Sequence, residues 1–582
     1  MKPPGALSVA VLLAIVLTIP SLFGGLAFDD YVQQVGVRGH PSVAATPRPG
    51  YDLFSFMRGD PQERREIIDR IAGVWMVPAE FQVAFLRPLS SLTHAFDYSV
   101  WSTTPWLMHL QSVLWYGCLV WLVALLYRQV IGSGRAAGLA MLLYAVDDAH
   151  GVTVGWLSNR NALVAGVFGV LAMLLHDRWR RQRWRPGGWL APASFAVALA
   201  GGESAVAVGG YMVAYEVCLG SGGGWRKLRS LLPYGGILAA WWLLYSQLGY
   251  GAFGTDFYVD PGREPAKFLG AVAERLPVLL LSQLAFPPSD LWAVVSDQGQ
   301  VILGLAGAGV VVVVIAALLP LLRRSSQARF FGLGAVLAAV PICATYPFDR
   351  LLIFVGIGAM GLVALFLAEV FGSAGEQTNW RLPARLLGGG WIVIHGLVAP
   401  ITLPLRTLQP SRWDDISARA SATLPSDPTA AGQRWIIVNA PDVGVSFYLM
   451  FRRAALGETM PAYIRFLSVS DKRVEVERTA PRSLTLRWQE GLLTRPLDRM
   501  LRGRRHRFQL GEKVELTGFT AEVTELTADG RAAEVRFTFS VPLEDPSLRW
   551  MTWVGRGYVP FAPPRLGEKR TLPLIRMADS VR

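Results

Sequence analysis

Two adjacent carboxylates, Asp29-Asp30, follow directly on an uncharged stretch that runs from Ala6 to Phe28. A carboxylate placed beside an acceptor hydroxyl can take its proton, and a nearby guanidinium can hold a phosphate through charge-assisted hydrogen bonds. Both kinds of group recur in comparable settings. Asp147-Asp148, Arg160, Glu203 and Asp349-Arg350 all interrupt or border apolar runs, and Arg87 lies in Phe85-Leu86-Arg87-Pro88-Leu89. Ionisable side chains in such places are uncommon and tend to line cavities or sites. Each one alone also fits a plainer explanation, a helix end meeting water, and it is their convergence on one face that favours a site.

The elements that must position these groups are membrane helices. Of the 582 residues, 52% are hydrophobic and 17% charged, against about a quarter charged in soluble domains. Ala6 to Phe28 is long enough to cross a hydrocarbon core of ~30 Å at ~1.5 Å per residue. Gly25-Leu26-Ala27 would suit a signal-peptide cleavage site, but the stretch exceeds a typical signal core and further spans follow, so it reads as an uncleaved first helix. Spans are expected near 104–127, 231–248, 301–322, 330–346, 350–371 and 386–405. Residues 134–176 read as two helices turning at Asp147-Asp148-Ala149-His150, the first of them short enough to leave room for a cavity. Residues 186–224 read as a hairpin turning at Gly201-Gly202-Glu203, which spares Glu203 the roughly 2.5–3.5 kcal/mol cost of a charge at the bilayer centre. The segment 271–299 is expected as a re-entrant or interfacial helix pair broken by Pro287-Pro288. The total is about eleven transmembrane helices.

The cations set the orientation. Arg128, Arg135, the run from Arg178 to Arg185, Arg226-Lys227, Arg229, Arg323-Arg324, Arg381 and Arg385 fall on one side, the cytoplasm by the positive-inside rule. The carboxylates and the carboxy-terminal region then share the outer side. Much of the net charge of +13 is thus topological, and nucleic acid is not an expected partner. The three cysteines, Cys118, Cys218 and Cys343, lie in apolar runs, which argues against a disulfide framework or a zinc site.

Residues 1–405 therefore read as the transmembrane domain, with a long outer loop over 29–103. Within that loop, residues 61–70 are amphipathic and suited to the membrane surface. Residues 406–582 read as an extracytoplasmic β-rich soluble domain of sandwich type, with strand patterns at Trp435–Val438, Ser483–Arg487, Val514–Thr517 and Ala533–Phe539. Its Trp488, Trp550 and Trp553 are expected in the core rather than on a sugar ring. The basic run Arg502-Gly503-Arg504-Arg505-His506-Arg507 is expected as a solvated turn rather than a contact to anionic lipid head groups.

The acidic pair after the first helix, the long outer loop and the Phe-Leu-Arg-Pro-Leu run before the second helix resemble the GT-C superfamily of integral membrane glycosyltransferases. The likeness is to the branch with protein O-mannosyltransferases and their bacterial relatives. Asp148-Ala149-His150 with Gly155-Trp156-Leu157-Ser158-Asn159-Arg160-Asn161, Gly202-Glu203-Ser204-Ala205 and Pro347-Phe348-Asp349-Arg350-Leu351-Leu352 are similar to three of its turns. The resemblance covers roughly residues 1–405. It departs at Gly202, where the branch has lysine, and at Ser112 and Tyr116, where Asn and His would follow His109.

The resemblance implies a multi-pass protein of a bacterial inner (plasma) membrane, an inverting transferase surrounded by membrane lipids. It would move a sugar from a polyprenyl-phosphate carrier to an acceptor hydroxyl on a glycan, lipid or protein outside. The absence of a Gly-rich phosphate loop agrees with a donor that carries no nucleotide. Asp29 matches the branch's catalytic aspartate and would be the base. Asp30 or Asp148 would orient the acceptor, Arg87, Arg160 and Arg350 would hold the phosphate, and Glu203 would complete the substrate site. No cofactor is implied; were a divalent metal used, Asp29 and Asp148 would hold it. Two other readings stay open, a transporter or flippase of a lipid-linked substrate and a non-catalytic relative that presents the β-rich domain.

Overall fold

The computed structural model describes residues 5–40, 48–372 and 381–575. Helix α1 (Ala6–Thr18) tightens into a 3-10 turn through Phe23 at Pro20, whose missing N–H suits a helix boundary. The first long loop holds α2 (Asp29–Arg38), α3 (Pro61–Ile67) and α4 (Pro88–Val100). The bundle continues with α5 (Pro105–Ile131), α6 (Arg135–Ala145), the short α7 (Gly151–Gly155), α8 (Arg160–Gln182), α9 (Gly187–Gly201), α10 (Val206–Cys218) and α11 (Gly224–Gln247). It is completed by α12 (Pro265–Leu284), α13 (Asp297–Arg324), α14 (Ser326–Ile342), α15 (Ile353–Phe371), α16 (Arg381–Trp391) and α17 (Ala399–Thr407), after which α18 (Gln409–Ala422) leads out.

Each segment read as spanning is helical. Among the described residues, six helical runs are long and apolar enough to cross a membrane: Ala6–Phe23, α5, Leu157–Gln182, α13, α15 and the run Leu382–Ala422; α9 and α14 are shorter apolar helices. The two expected turns fall at Asp148–His150 and Glu203–Ala205, each a single 3-10 turn. Cationic helix ends gather at one end of the bundle. Arg181 donates to the Gln129 carbonyl (2.9 Å), Gln327 to the Val130 carbonyl (3.4 Å), and Arg324 pairs with Glu369 (3.9 Å). The side chain of Arg381 lies outside the described residues.

Two expectations are corrected. Residues 271–299 break at Pro287-Pro288 as expected, but they do not form a pair of α-helices. They comprise the end of the single 20-residue helix α12, a 3-10 turn at Ser289–Ala293 and the start of α13. Helix α12 packs closely on α13 at Pro277, where a Cβ on Gly307 would come within 2.5 Å of the Pro277 carbonyl. The amphipathic stretch 61–70 does not lie on lipid. Ile67, Ile68 and Ile71 are buried in one core with Trp435, Ile464 and Phe519 of the carboxy-terminal region, and Asp69 accepts from Arg465 (2.5 Å). Each such burial is worth about 1.5–3 kcal/mol, enough to draw the loop onto a protein surface.

The loop also contributes β1 (Ser55–Met57) and β2 (Gln82–Ala84), which form an antiparallel sheet with β3 (Gly251–Phe253). The carboxy-terminal region begins with β4 (Arg434–Ile437), then α19 (Val443–Leu456), β5 (Tyr463–Phe466), β6 (Val474–Ala480) and β7 (Ser483–Trp488). There follow β8 (Lys513–Leu516), β9 (Phe519–Leu526), β10 (Ala532–Phe539), β11 (Leu548–Val554), β12 (Gly557–Pro560) and β13 (Lys569–Leu572). Six strands, β13-β6-β7-β10-β9-β8, make an antiparallel sheet, and β12-β11-β4-β5 make a second. Strands β4 and β5 are parallel, and a parallel pair needs a crossover of a dozen or more residues. That crossover is α19, capped by Asp442, whose side chain accepts from the Val445 amide, and closed by Gly457 in the left-handed region. The region is thus mixed α/β rather than a simple sandwich. Trp488, Trp550 and Trp553 are buried, each indole N–H bonded within the domain.

Candidate active site

The acidic pair divides into two unlike carboxylates. Phe28, just before it, has φ +48° and ψ −110°, a left-handed conformation that costs a bulky residue on the order of 1–3 kcal/mol and persists only where its surroundings enforce it. Here they do so through Asp30, which is fully buried. One Asp30 oxygen accepts from the Ala27 amide (2.9 Å); the other accepts from the Ser158 amide (2.8 Å) and hydroxyl (2.6 Å). Burial pushes the Asp30 carboxyl up to about 7 while these donors pull the other way. With both oxygens taken, Asp30 ties the start of α2 to the turn before α8 and has no face left for an acceptor.

Asp29 points elsewhere. One oxygen accepts from the Tyr448 hydroxyl of α19 (2.6 Å), and the other has no hydrogen-bond partner among the described residues. Burial raises its pKa, and the Tyr448 hydrogen bond and then the charges of Arg350 and Arg87 oppose the rise. Arg350 lies over Trp156 (4.9 Å) and Phe348 (5.0 Å), with Nη1 3.4 Å from Asn159 Oδ1. Arg87 donates to Glu203 (2.6 Å) and lies over Phe85 (4.5 Å) and Phe54 (4.9 Å). The hydroxyl of Tyr258 senses Arg350, Asp29, Arg87 and Glu203 together, burial being the largest influence on it. Four of the seven residues expected from sequence therefore share one neighbourhood: Asp29, Arg87, Glu203 and Arg350.

Aromatic rings line it. Phe28 packs against Tyr448 (5.1 Å), Trp413 (5.9 Å) and Trp156 (6.2 Å). The Trp156 indole is placed by Gly155, where a Cβ would run into the Thr407 carbonyl. Rings in this arrangement can stack on a sugar or an isoprenoid chain.

Arg160 and Asp148 lie elsewhere. Arg160 and its partner Asp97 are both 0% exposed. Arg160 donates to Asp97 (2.5 Å), the Met108 carbonyl (2.7 Å), Ser112 (3.0 Å) and Gln111, so its head is spent inside the bundle and cannot reach a phosphate. The residues that depart from the GT-C pattern serve similar ties: Ser112 receives Arg160, and Tyr116 donates to the Ala145 carbonyl (3.0 Å). Asp148 accepts from Arg406 (3.2 Å), whose guanidinium also meets Asp349 (2.6 Å) and Asp290 (2.9 Å). Among the described residues no three His, Cys, Asp or Glu side chains are grouped to hold a metal. Asp29 meets Tyr448 through one oxygen, and Asp148 meets Arg406. The turn Asp349-Arg350 joins the two networks, one residue facing Arg406 and the next facing Asp29.

Sequence reasoning missed Tyr448, Tyr258 and Arg406. The caps Asp442 and Gly457 are signals that could have pointed to α19, though not to what it touches, and Arg406 marks only the end of an apolar run.

No protein-family model matches this chain, and no curated protein matches it. Solved structures with some likeness include the oligosaccharyltransferase AglB from Archaeoglobus fulgidus in complex with an inhibitory peptide and a dolichol-phosphate. It is 12% identical at a TM-score of 0.39, over 79% of this chain and 64% of that one. The apo form of the A. fulgidus oligosaccharyltransferase is 14% identical at 0.43, over 79% and 64%. ArnT from Cupriavidus metallidurans bound to undecaprenyl phosphate is 14% identical at 0.35, over 79% and 89%. This chain thus spans less than two thirds of the archaeal chains it aligns with.

Proposed function

We propose that this chain is a membrane glycosyltransferase of GT-C type that moves a sugar from a polyprenyl-phosphate carrier to an acceptor hydroxyl at the outer membrane face, with inversion. The observation that carries the reading is that Asp29, with one oxygen held by the Tyr448 hydroxyl (2.6 Å), shares a neighbourhood with two guanidinium groups, Arg350 and Arg87. Asp29 takes the proton of the acceptor hydroxyl as that oxygen attacks the anomeric carbon. The bond from that carbon to the phosphate oxygen breaks, and the electron pair leaves with the phosphate, where Arg350 and Arg87 stabilise it. Glu203 holds Arg87 in place, and the rings of Phe28, Trp156 and Trp413 shield the path from water.

The direct test supplies the purified chain, in vesicles, with a panel of sugars on polyprenyl phosphate and follows release of the free lipid phosphate. Membrane extract serves as the acceptor source. Arg350→Gln and Arg87→Gln are each expected to raise the KM for the lipid donor about tenfold or more, the scale of a lost charge-assisted hydrogen bond. No release from any carrier would overturn the proposal.

A pH dependence follows. Asp29 works only as the carboxylate, so transfer rises with pH through its folded pKa and is lost as pH falls below it. That pKa is already raised by burial. Arg350→Gln removes a cation that favours the charged form, and Tyr448→Phe removes a hydrogen bond that does the same. Both variants are therefore expected to shift the acid limb of the pH-rate profile upward at saturating donor. A limb that stays in place in both would exclude Asp29 as the titrating group.

A further inference from the structure

The basic run is exposed at Arg504, Arg505 and Arg507, as a solvated turn should be, yet its start is pinned. Arg502 is buried over Phe508 (3.8 Å) and donates to Glu512 (2.6 Å) and to the Met76 carbonyl (2.8 Å). The Gly503 amide donates to the Gly254 carbonyl (2.9 Å), and the Arg504 amide to Asp256 (2.8 Å). Residues 502–504 and 506–508 thereby form one wall of a cavity of about 250 Å³. Its lining shares no residue with the Asp29 neighbourhood. Five arginines line it, Arg499, Arg502, Arg504, Arg507 and Arg531, against two carboxylates, Asp297 and Asp529. Arg499 and Arg504 share a single oxygen of Asp297, each at 2.6 Å, and Arg531 pairs with Asp529 (2.8 Å), so the five arginines outnumber the three carboxylates that hold them, Asp297, Asp529 and Glu512.

The place of this cavity narrows its ligand. Asp297 is the first residue of α13, a helix apolar enough to cross a membrane. One to two turns further on, Val301 (62% exposed), Ile302 (60%) and Leu305 (70%) face outward with no protein cover. At ~1.5 Å per residue the apolar surface starts about 6 Å below Asp297, so the arginines stand at the depth of lipid headgroups. Phe286 and Val294, in the loop before α13, are exposed as well, as expected of a loop dipping into an interface.

We infer that this cavity binds a phosphate group, and its depth favours the phosphate of an anionic lipid headgroup over a soluble one. A tetrahedral anion with several acceptor oxygens suits several guanidinium forks at once, and its charge neutralises the surplus. The site is independent of the proposed transferase activity and is tested without it.

The test uses the full-length chain in nanodiscs of phosphatidylglycerol or of phosphatidylcholine, with native mass spectrometry of lipid retained after transfer to detergent. In parallel, inorganic phosphate is titrated by calorimetry. Arg504→Gln/Arg507→Gln is compared with Arg505→Gln, an exposed member of the same run that does not line the cavity. Retention of phosphatidylglycerol is expected to fall about tenfold in the double variant, the scale of lost charge-assisted bonds, and to be unchanged in Arg505→Gln. Saturable inorganic phosphate binding lost only in the double variant, with no retained lipid, supports the phosphate site and assigns it a soluble ligand. Equal losses in the double variant and Arg505→Gln, or no saturable binding of either ligand by the unaltered chain, would overturn the inference.

Discussion

Asp29→Asn is expected to lower sugar transfer by about 10²- to 10⁴-fold, the range a positioned general base contributes, with the fold intact. Asparagine keeps a side-chain oxygen to accept from Tyr448 and loses only basicity. Asp30→Asn is expected to behave differently. Its amide nitrogen would face one of the donors that now meet the carboxylate, the Ala27 amide or the Ser158 amide and hydroxyl. A buried donor left unsatisfied costs about 1–3 kcal/mol. Asp30→Asn should therefore melt at lower temperature, with the surviving protein still turning over, whereas Asp29→Asn should melt normally and turn over poorly. Thermal unfolding in detergent, read beside donor discharge, separates the two. Wild-type discharge in Asp29→Asn would remove Asp29 as the base.

The largest effect on stability is expected at Arg160. In Arg160→Leu the Asp97 carboxylate is left at 0% exposure without a counter-ion, a change that costs about 3–5 kcal/mol. Replacing both partners with apolar residues of similar volume should recover most of that loss, because a buried pair gives little net stability beyond a well-packed apolar pair. The prediction is checked by the yield and melting of Arg160→Leu, Asp97→Leu and the double variant. A stable Arg160→Leu with a raised donor KM would instead return Arg160 to the phosphate, the role the sequence suggested.

That contrast shows what could be read from the chain. The helical segments and the turns at Asp148–His150 and Glu203–Ala205 were legible because apolar length and interrupting charge are local signals. Orientation brings Asp29, Asp148, Arg160, Glu203 and Arg350 to one side but does not say which of them meet, and Arg87 entered through the resemblance. The partner of a buried charge is not local. Arg160 looks like a helix-end cation until Asp97, 63 positions earlier, is seen to hold it. Asp29 and Asp30 look interchangeable until Ser158 claims one and Tyr448 the other. Residues 61–70 carry an amphipathic pattern that fits lipid and protein equally well, and only the apolar strands of the carboxy-terminal region decide between them. Arg406 fits the same account: Asp148, Asp290 and Asp349 come from three separate turns, and no spacing relates them.

The hydrogen bond from Tyr448 to Asp29 joins residues 419 positions apart, and the core that holds Ile67, Ile71 and Trp75 needs strands of the same late region. A chain made from its amino end at about 5–20 residues per second displays Asp29 for tens of seconds before α19 exists. During that interval the first outer loop has no apolar partner of its own, and the amphipathic stretch can rest provisionally on the lipid it later leaves. A chain still on the ribosome thus lacks the finished pocket. Completion of synthesis, rather than insertion of the first helices, is the event that readies this protein to work, and truncations within α19 or beyond it should leave an inserted bundle with an open, inert outer face.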